Sequence, residues 1–190
     1  MCDVASQAPQ LQDASTEERI QSALLELLHE HPLADISVKE LCARAYVARS
    51  TFYAHYHNVA EVLEQIEDTL VDDLTALNAP LADGSRSDPD DLAFFRNTIA
   101  YIEDHRDVMD ILLVERPSVR FIQAWKEAIK GHLRARKPLS EASSNGLALE
   151  LVASTMVSAS TYLISGEEPV DIDRICEMVA DVLDVMERWT

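Results

Sequence analysis

The chain has 190 residues, enough for a hydrophobic core shared by one small and one medium helical unit. With 34 acidic against 16 basic residues its formal net charge is −18, a field that repels nucleic acid at long range, so a nucleic-acid partner has to be argued from local features alone. Only 4 glycines and no recurring alternation of apolar and polar residues exclude a sheet protein. The absence of an apolar run of about 18 residues excludes a membrane span, and the odd, scattered Cys2, Cys42 and Cys176 exclude a disulfide framework; a cytoplasmic, all-α protein is expected.

Residues 1–13 are polar and read as a leader. Ser15 followed by Glu18 fits a capping box, and Ile20, Ala23, Leu24, Leu27 and Leu28 repeat as the buried stripe of a first helix that ends by Pro32. Ser37 with Glu40 opens a second, short helix whose apolar side is Val38, Leu41, Cys42 and Ala45. A tight turn at Tyr46 and Val47 leads into a third, Arg49 to Tyr56, with Phe52 and Tyr56 one turn apart on one side. From Val59 a longer helix carries Val62, Leu63, Ile66, Leu70, Leu74 and Leu77 and closes near Pro80.

Residues 79–89 are rich in Ala, Asp, Ser, Gly and Pro and read as a linker. Beyond it helices are expected near 90–105, 107–115 and 118–136, interrupted at Pro117 and Pro138. Two more, about 144–165 and 171–189, complete the chain. The resulting division is a leader at 1–13, a helical unit at 14–74 with a helix-turn-helix at 37–56, and a longer helical unit at 75–190.

Three short helices with a turn of about four residues between the second and third are what reading a major groove requires. Arg49, Ser50, Thr51, Tyr53, His55 and His57 supply hydrogen-bond donors for phosphates or base edges, and no acidic residue occurs from Leu41 through Asn58. With Ser37, Lys39 and Tyr56 these are the candidate DNA contacts.

The run ISVKELCARAYVARSTFYAHYHN, Ile36 to Asn58, resembles the DNA-binding signature of the TetR-type (tetracycline-repressor-like, TetR/AcrR) bacterial regulators, most specifically in STFYAHY, and the likeness extends from about Ala14 to Leu74. The resemblance implies that Val38 to Ala45 supports, that Arg49 to Tyr56 enters the major groove, and that Ser37, Tyr53 and His55 touch phosphates. It also implies a C-terminal half for dimerisation and sensing of a small-molecule effector. Three residues depart from the pattern. Tyr46 stands where the family usually has Gly, costing on the order of 1 to 2 kcal/mol if that backbone is left-handed. Ala48 replaces a helix-capping Ser or Thr, a loss of roughly 1 kcal/mol, and Val59 replaces a common phosphate-facing Lys.

Competing readings of the same residues are weaker. The pairs His29/His31 and His55/His57 have no Cys or carboxylate at ligand spacing, so no metal is expected, and no Gly-rich phosphate loop, G-x-S-x-G elbow or H-E-x-x-H indicates an enzyme or a cofactor. The basic residues Arg116, Arg120, Lys126, Lys130, Arg134, Arg136 and Lys137 read as a solvated face that offsets acidic neighbours, with a second nucleic-acid surface as the alternative. Phe94, Phe95, Tyr101, Phe121 and Trp125 are candidates to line an effector pocket, with plain core as the alternative. In the last two helices Leu151, Thr155, Met156, Ala159, Tyr162, Ile175, Val179, Val182 and Met186 are candidates for a four-helix interface between two subunits. The expected function is a homodimeric repressor of a near-palindromic double-stranded operator, released by an effector. The alternative is a helical interaction or ligand-binding module that has lost DNA binding.

Overall fold

The computed structural model describes residues 15–82, 91–136, 146–166 and 174; the leader, most of the linker and the last expected helix lie outside them. The described residues are helical, without strands, and the chain divides into two compact units, Met1–Glu67 and Asp68–Thr190. That boundary falls inside one helix. No helix among the described residues is long and apolar enough to cross a membrane.

In the first unit α1, Thr16–Glu30, starts on the expected capping box: the Glu18 N–H donates to Ser15 Oγ (3.1 Å) and the Ser15 N–H donates to Glu18 Oε2 (2.6 Å). Its stripe of Ile20, Ala23, Leu24, Leu27 and Leu28 is buried, and His31, before Pro32, is extended. After a short 3₁₀ turn at Leu33–Asp35 comes α2, Val38–Arg44, capped by Ser37 Oγ, which accepts from the Glu40 N–H at 3.2 Å. Then follow α3, Arg49–His55, and α4, Val59–Ala82. Asn58 Oδ1 accepts from the Glu61 N–H in the first turn of α4. Packing of α2 on α1 and α3 closes a core that includes Ile20, Leu24, Leu27, Leu41, Phe52 and Val62. The helix α4 continues past Pro80, because a proline this near a helix end forfeits one backbone hydrogen bond and leaves the preceding turns intact.

The second unit takes in α4 from Asp68 onward, α5 (Asp91–Asp104), α6 (Arg106–Asp110), α7 (Val119–Arg136) and α8 (Gly146–Ser165). The helix expected over 107–115 is α-helical only to Asp110. Ile111–Glu115 is a π turn, closed by the Arg116 N–H on Ile111 O. Three successive residues of this turn, Ile111, Leu112 and Leu113, lie in the core. Around them lie Ile102, Met109, Phe121, Trp125 and Ile129.

The basic residues of α7 are not all solvated, as the sequence suggests. Lys126 and Lys130 are buried against α8, where both bind the Glu150 carboxylate; Lys130 also binds Glu127 at 2.6 Å. Hydrogen bonds from Lys126 and then Lys130 hold Glu150 down to about 2. With the folded value depressed, this pairing supports the unit above the ordinary carboxylate range and is lost as pH falls toward 2. The long stems of the two lysines cover apolar surface while their ammonium groups find a partner.

Candidate DNA-binding site

The α3 helix is held from below. Phe52 is fully buried, its ring meeting that of Tyr53 edge-on at 5.4 Å and that of Tyr56 at 5.8 Å. Tyr56 is 2% exposed and its hydroxyl accepts from Gln21 Nε2 of α1 at 3.2 Å. This corrects its place among the candidate contacts: the ring is an anchor in the core, so it has no face to offer a ligand.

The outer side of α3 carries Arg49, Ser50, Tyr53 and His55, all exposed, with Thr51 half-buried beside them. Tyr53 is 52% exposed, a large aromatic left without cover. Ser37 and Lys39, at the start of α2, and His57, after α3, are exposed too, although the Ser37 hydroxyl is already engaged as a cap. Thus eight of the nine candidates are at least partly accessible, and what each can do depends on its partners.

The cations are few. Residues 15–67 hold Arg19, Lys39, Arg44 and Arg49. Arg44 is tied to Glu30 at 3.0 Å and to Glu26 at 3.3 Å, and Arg19 is tied to backbone carbonyls described below. Lys39 and Arg49 are exposed and enter no ion pair among the described residues. Arg49 also lies close enough to Cys42 to draw its thiol down, against the larger effect of burial, which pushes it up.

Both histidines are engaged by acids. His55 Nδ1 is 2.9 Å from Glu17 Oε1 in the first turn of α1, and His57 Nδ1 is 2.8 Å from Glu61 Oε2, which also accepts the His57 backbone N–H at 2.6 Å. A carboxylate only accepts, so each Nδ1 carries a hydrogen. In the neutral ring Nε2 is then a bare acceptor. These hydrogen bonds from His57 hold the Glu61 carboxyl below the usual carboxylate range.

The three departures from the resembled pattern have distinct outcomes. Tyr46 does adopt the left-handed conformation, with φ +54°, and its side chain is 77% exposed, so no burial offsets the strain. Ala48 stands at the N-cap of α3 with no side-chain hydrogen bond. Val59 is buried, so the start of α4 contributes to the core where the family pattern has a cation. Ala48→Ser should stabilise the protein by about 1 kcal/mol, read as a raised denaturation midpoint at unchanged slope. An unchanged or lowered midpoint would count against a capping role at this position.

The C-terminal candidates divide by location. Phe121 and Trp125 are fully buried with their rings 5.8 Å apart, and Tyr101 is half-buried, its hydroxyl donating to Asp73 Oδ2 at 2.9 Å and its ring stacked on His105 at 4.0 Å. Burial and then that hydrogen bond push the Tyr101 hydroxyl up. The side chains of Phe94 and Phe95, and Ile175, Val179, Val182 and Met186 altogether, lie outside the described residues. On α8, Leu151 and Tyr162 are exposed and Thr155 and Ala159 half-buried, but Met156 is 4% exposed. Met156 is therefore corrected from an interface residue to core of its own unit; it lies on the opposite side of the helix from Leu147, Ser158 and Tyr162.

Sequence reading missed Arg19, Glu17, Gln21 and Glu61. Their partners lie 4 to 44 residues away, and only the His57–Glu61 spacing of one helical turn carries any local signal.

No protein-family model matches the chain, and no curated protein does. Solved structures do. SmeT, the repressor of the Stenotrophomonas maltophilia multidrug efflux pump SmeDEF, is similar at TM-score 0.68 and 21% identity, over 93% of this chain and 92% of that one. A TetR transcriptional regulator from Streptococcus agalactiae gives TM-score 0.64 at 18% identity, over 90% and 93%. A regulator of the same type from Aquifex aeolicus gives 0.63 at 19%, over 90% and 99%. The chain has the fold of the TetR-type regulators, an all-α arrangement of helix-turn-helix and helical C-terminal unit.

Proposed function

We propose, taking the TetR-type fold as premise, that the protein is a DNA-binding transcriptional regulator, acting as a homodimeric repressor on a near-palindromic operator. The observation that carries this reading is the outer side of α3. Arg49, Ser50 and Tyr53 stand exposed there, on a helix anchored through Phe52 and Tyr56, and Lys39 is exposed near the start of α2. A slim helix with donors outward and an aromatic anchor inward is suited to a major groove. Repression is supported by the likeness to SmeT, itself a repressor.

Dimerisation is supported by α8. Leu147, Leu151 and Tyr162 are exposed and share one stripe with Thr155 and Ser158, an apolar face suited to a second copy of the chain. Release would come from an effector binding better to a conformation whose recognition helices are wrongly spaced, since only differential affinity shifts such an equilibrium. The helix α4, which contributes residues to both units, is the element through which that change would pass.

Footprinting on the promoter nearest the protein's own gene, at low salt, should reveal two protected half-sites roughly one helical turn or a little more apart. Absence of protection would overturn the reading and favour a helical interaction module. A strict monomer in solution would overturn the two-half-site mechanism.

A further inference from the structure

We propose that Arg19 is a positioning residue for the recognition helix, acting through the α2–α3 turn; this rests on the DNA-binding reading above. The turn closes α2 by a paired return: the Val47 N–H donates to Cys42 O at 3.0 Å and the Tyr46 N–H to Ala43 O at 3.4 Å. That pattern requires a left-handed residue at Tyr46, a place glycine fills without strain. The exposed tyrosine ring does nothing to hold it there. Arg19, on α1, does: its Nη2 donates to Ala45 O at 2.7 Å and to Tyr46 O at 2.6 Å. These are short, charge-assisted bonds to carbonyls at the end of α2, where a cation also suits the helix dipole.

Two further features make the tether consequential. Arg19 Nε is buried without a hydrogen-bond partner, so the guanidinium is drawn in at a desolvation cost and oriented by the two carbonyls. And Ala48 gives α3 no cap, while the anchors Phe52 and Tyr56 lie beyond its first turn. The placement of Arg49 and Ser50, the first residues of α3, is therefore set from the turn that Arg19 holds.

The test uses the full chain and a duplex that the wild-type protein selects from a random-sequence pool. Arg19→Met, assayed at a temperature where circular dichroism shows it folded, should bind that duplex at least about tenfold more weakly, a change of about 1.4 kcal/mol. Arg19→Lys should fall between. Adding Tyr46→Gly to Arg19→Met should restore binding to within about threefold of wild type, because glycine holds the left-handed turn unaided. A merely structural arginine would lower the melting temperature and leave the affinity of the folded protein alone, and glycine would rescue nothing.

Wild-type affinity in folded Arg19→Met, or no rescue by Tyr46→Gly, overturns the proposal. If Arg19→Met does not fold, the same comparison is made with Arg19→Lys and Arg19→Lys/Tyr46→Gly. Hydrogen exchange at the Val47 amide separates this proposal from the reading it rests on. If the wild type selects no DNA, that reading fails, yet Val47 should still lose protection in the Arg19 variants and regain it with glycine; unaltered protection would overturn the tether by itself.

Discussion

Arg49→Ala is expected to weaken binding to the selected duplex by about a hundredfold or more. Of the four cations in residues 15–67, Arg19 and Arg44 are occupied internally, so under the proposed function Lys39 and Arg49 would have to supply the attraction to DNA from this unit, against a strongly acidic chain. Arg49 opens α3, and a bidentate arginine contact to a base edge discriminates by roughly 1 to 3 kcal/mol per site, doubled if two copies bind two half-sites as proposed. Salt titration sorts its role further. If Arg49 meets a phosphate at each half-site, its removal flattens the dependence of log affinity on log salt. If it meets a base edge, its removal relaxes sequence preference at one position of each half-site. Binding of Arg49→Ala within about threefold of wild type would remove α3 from the interface.

The second large effect lies at the two histidines. With Nδ1 of His55 committed to Glu17, and Nδ1 of His57 to Glu61, a neutral ring presents only an acceptor lone pair to a phosphate, which is itself an acceptor. Glu17→Ala/Glu61→Ala leaves both rings able to turn an N–H outward and removes two negative charges beside the proposed contact, so affinity for the selected duplex should rise about tenfold. In a variant that also carries His55→Ala/His57→Ala the gain should shrink, since only the change in charge is left. If loss of the two acids does not strengthen binding, neither ring meets phosphate.

These expectations differ in how far they are legible in the sequence. The capping box at Ser15, the single cap at Ser37, where the Glu40 side chain does not return the bond expected of a box, the stripe of α1 and the short α3 follow from spacing of three and four residues, because helix initiation and amphipathicity are local properties. The left-handed backbone at Tyr46 has no local signal in the tyrosine itself, and only the resemblance, through its usual Gly, points to it. Tyr56 differs: its spacing puts it on the side of Phe52, but at the end of a helix of seven residues that spacing does not itself say whether the ring is surface or core, and Gln21 of α1 settles it. Met156 and the lysines of α7 are ambiguous for a related reason. A helix apolar on nearly all sides, or a basic helix with long aliphatic stems, does not itself say which neighbour it meets.

The sequence by itself determined that the chain is helical, where its N-terminal helices begin, and that donors without acids cluster between Leu41 and Asn58. Tertiary structure alone decided which of those donors are free to act. It set Glu17 against His55 and Glu26 and Glu30 against Arg44, and brought Arg19 to the carbonyls of Ala45 and Tyr46. The physical reason is range: turns and caps are closed by residues a few positions apart, whereas an ion pair or a tether is closed by whatever the packing of helices brings within hydrogen-bond distance.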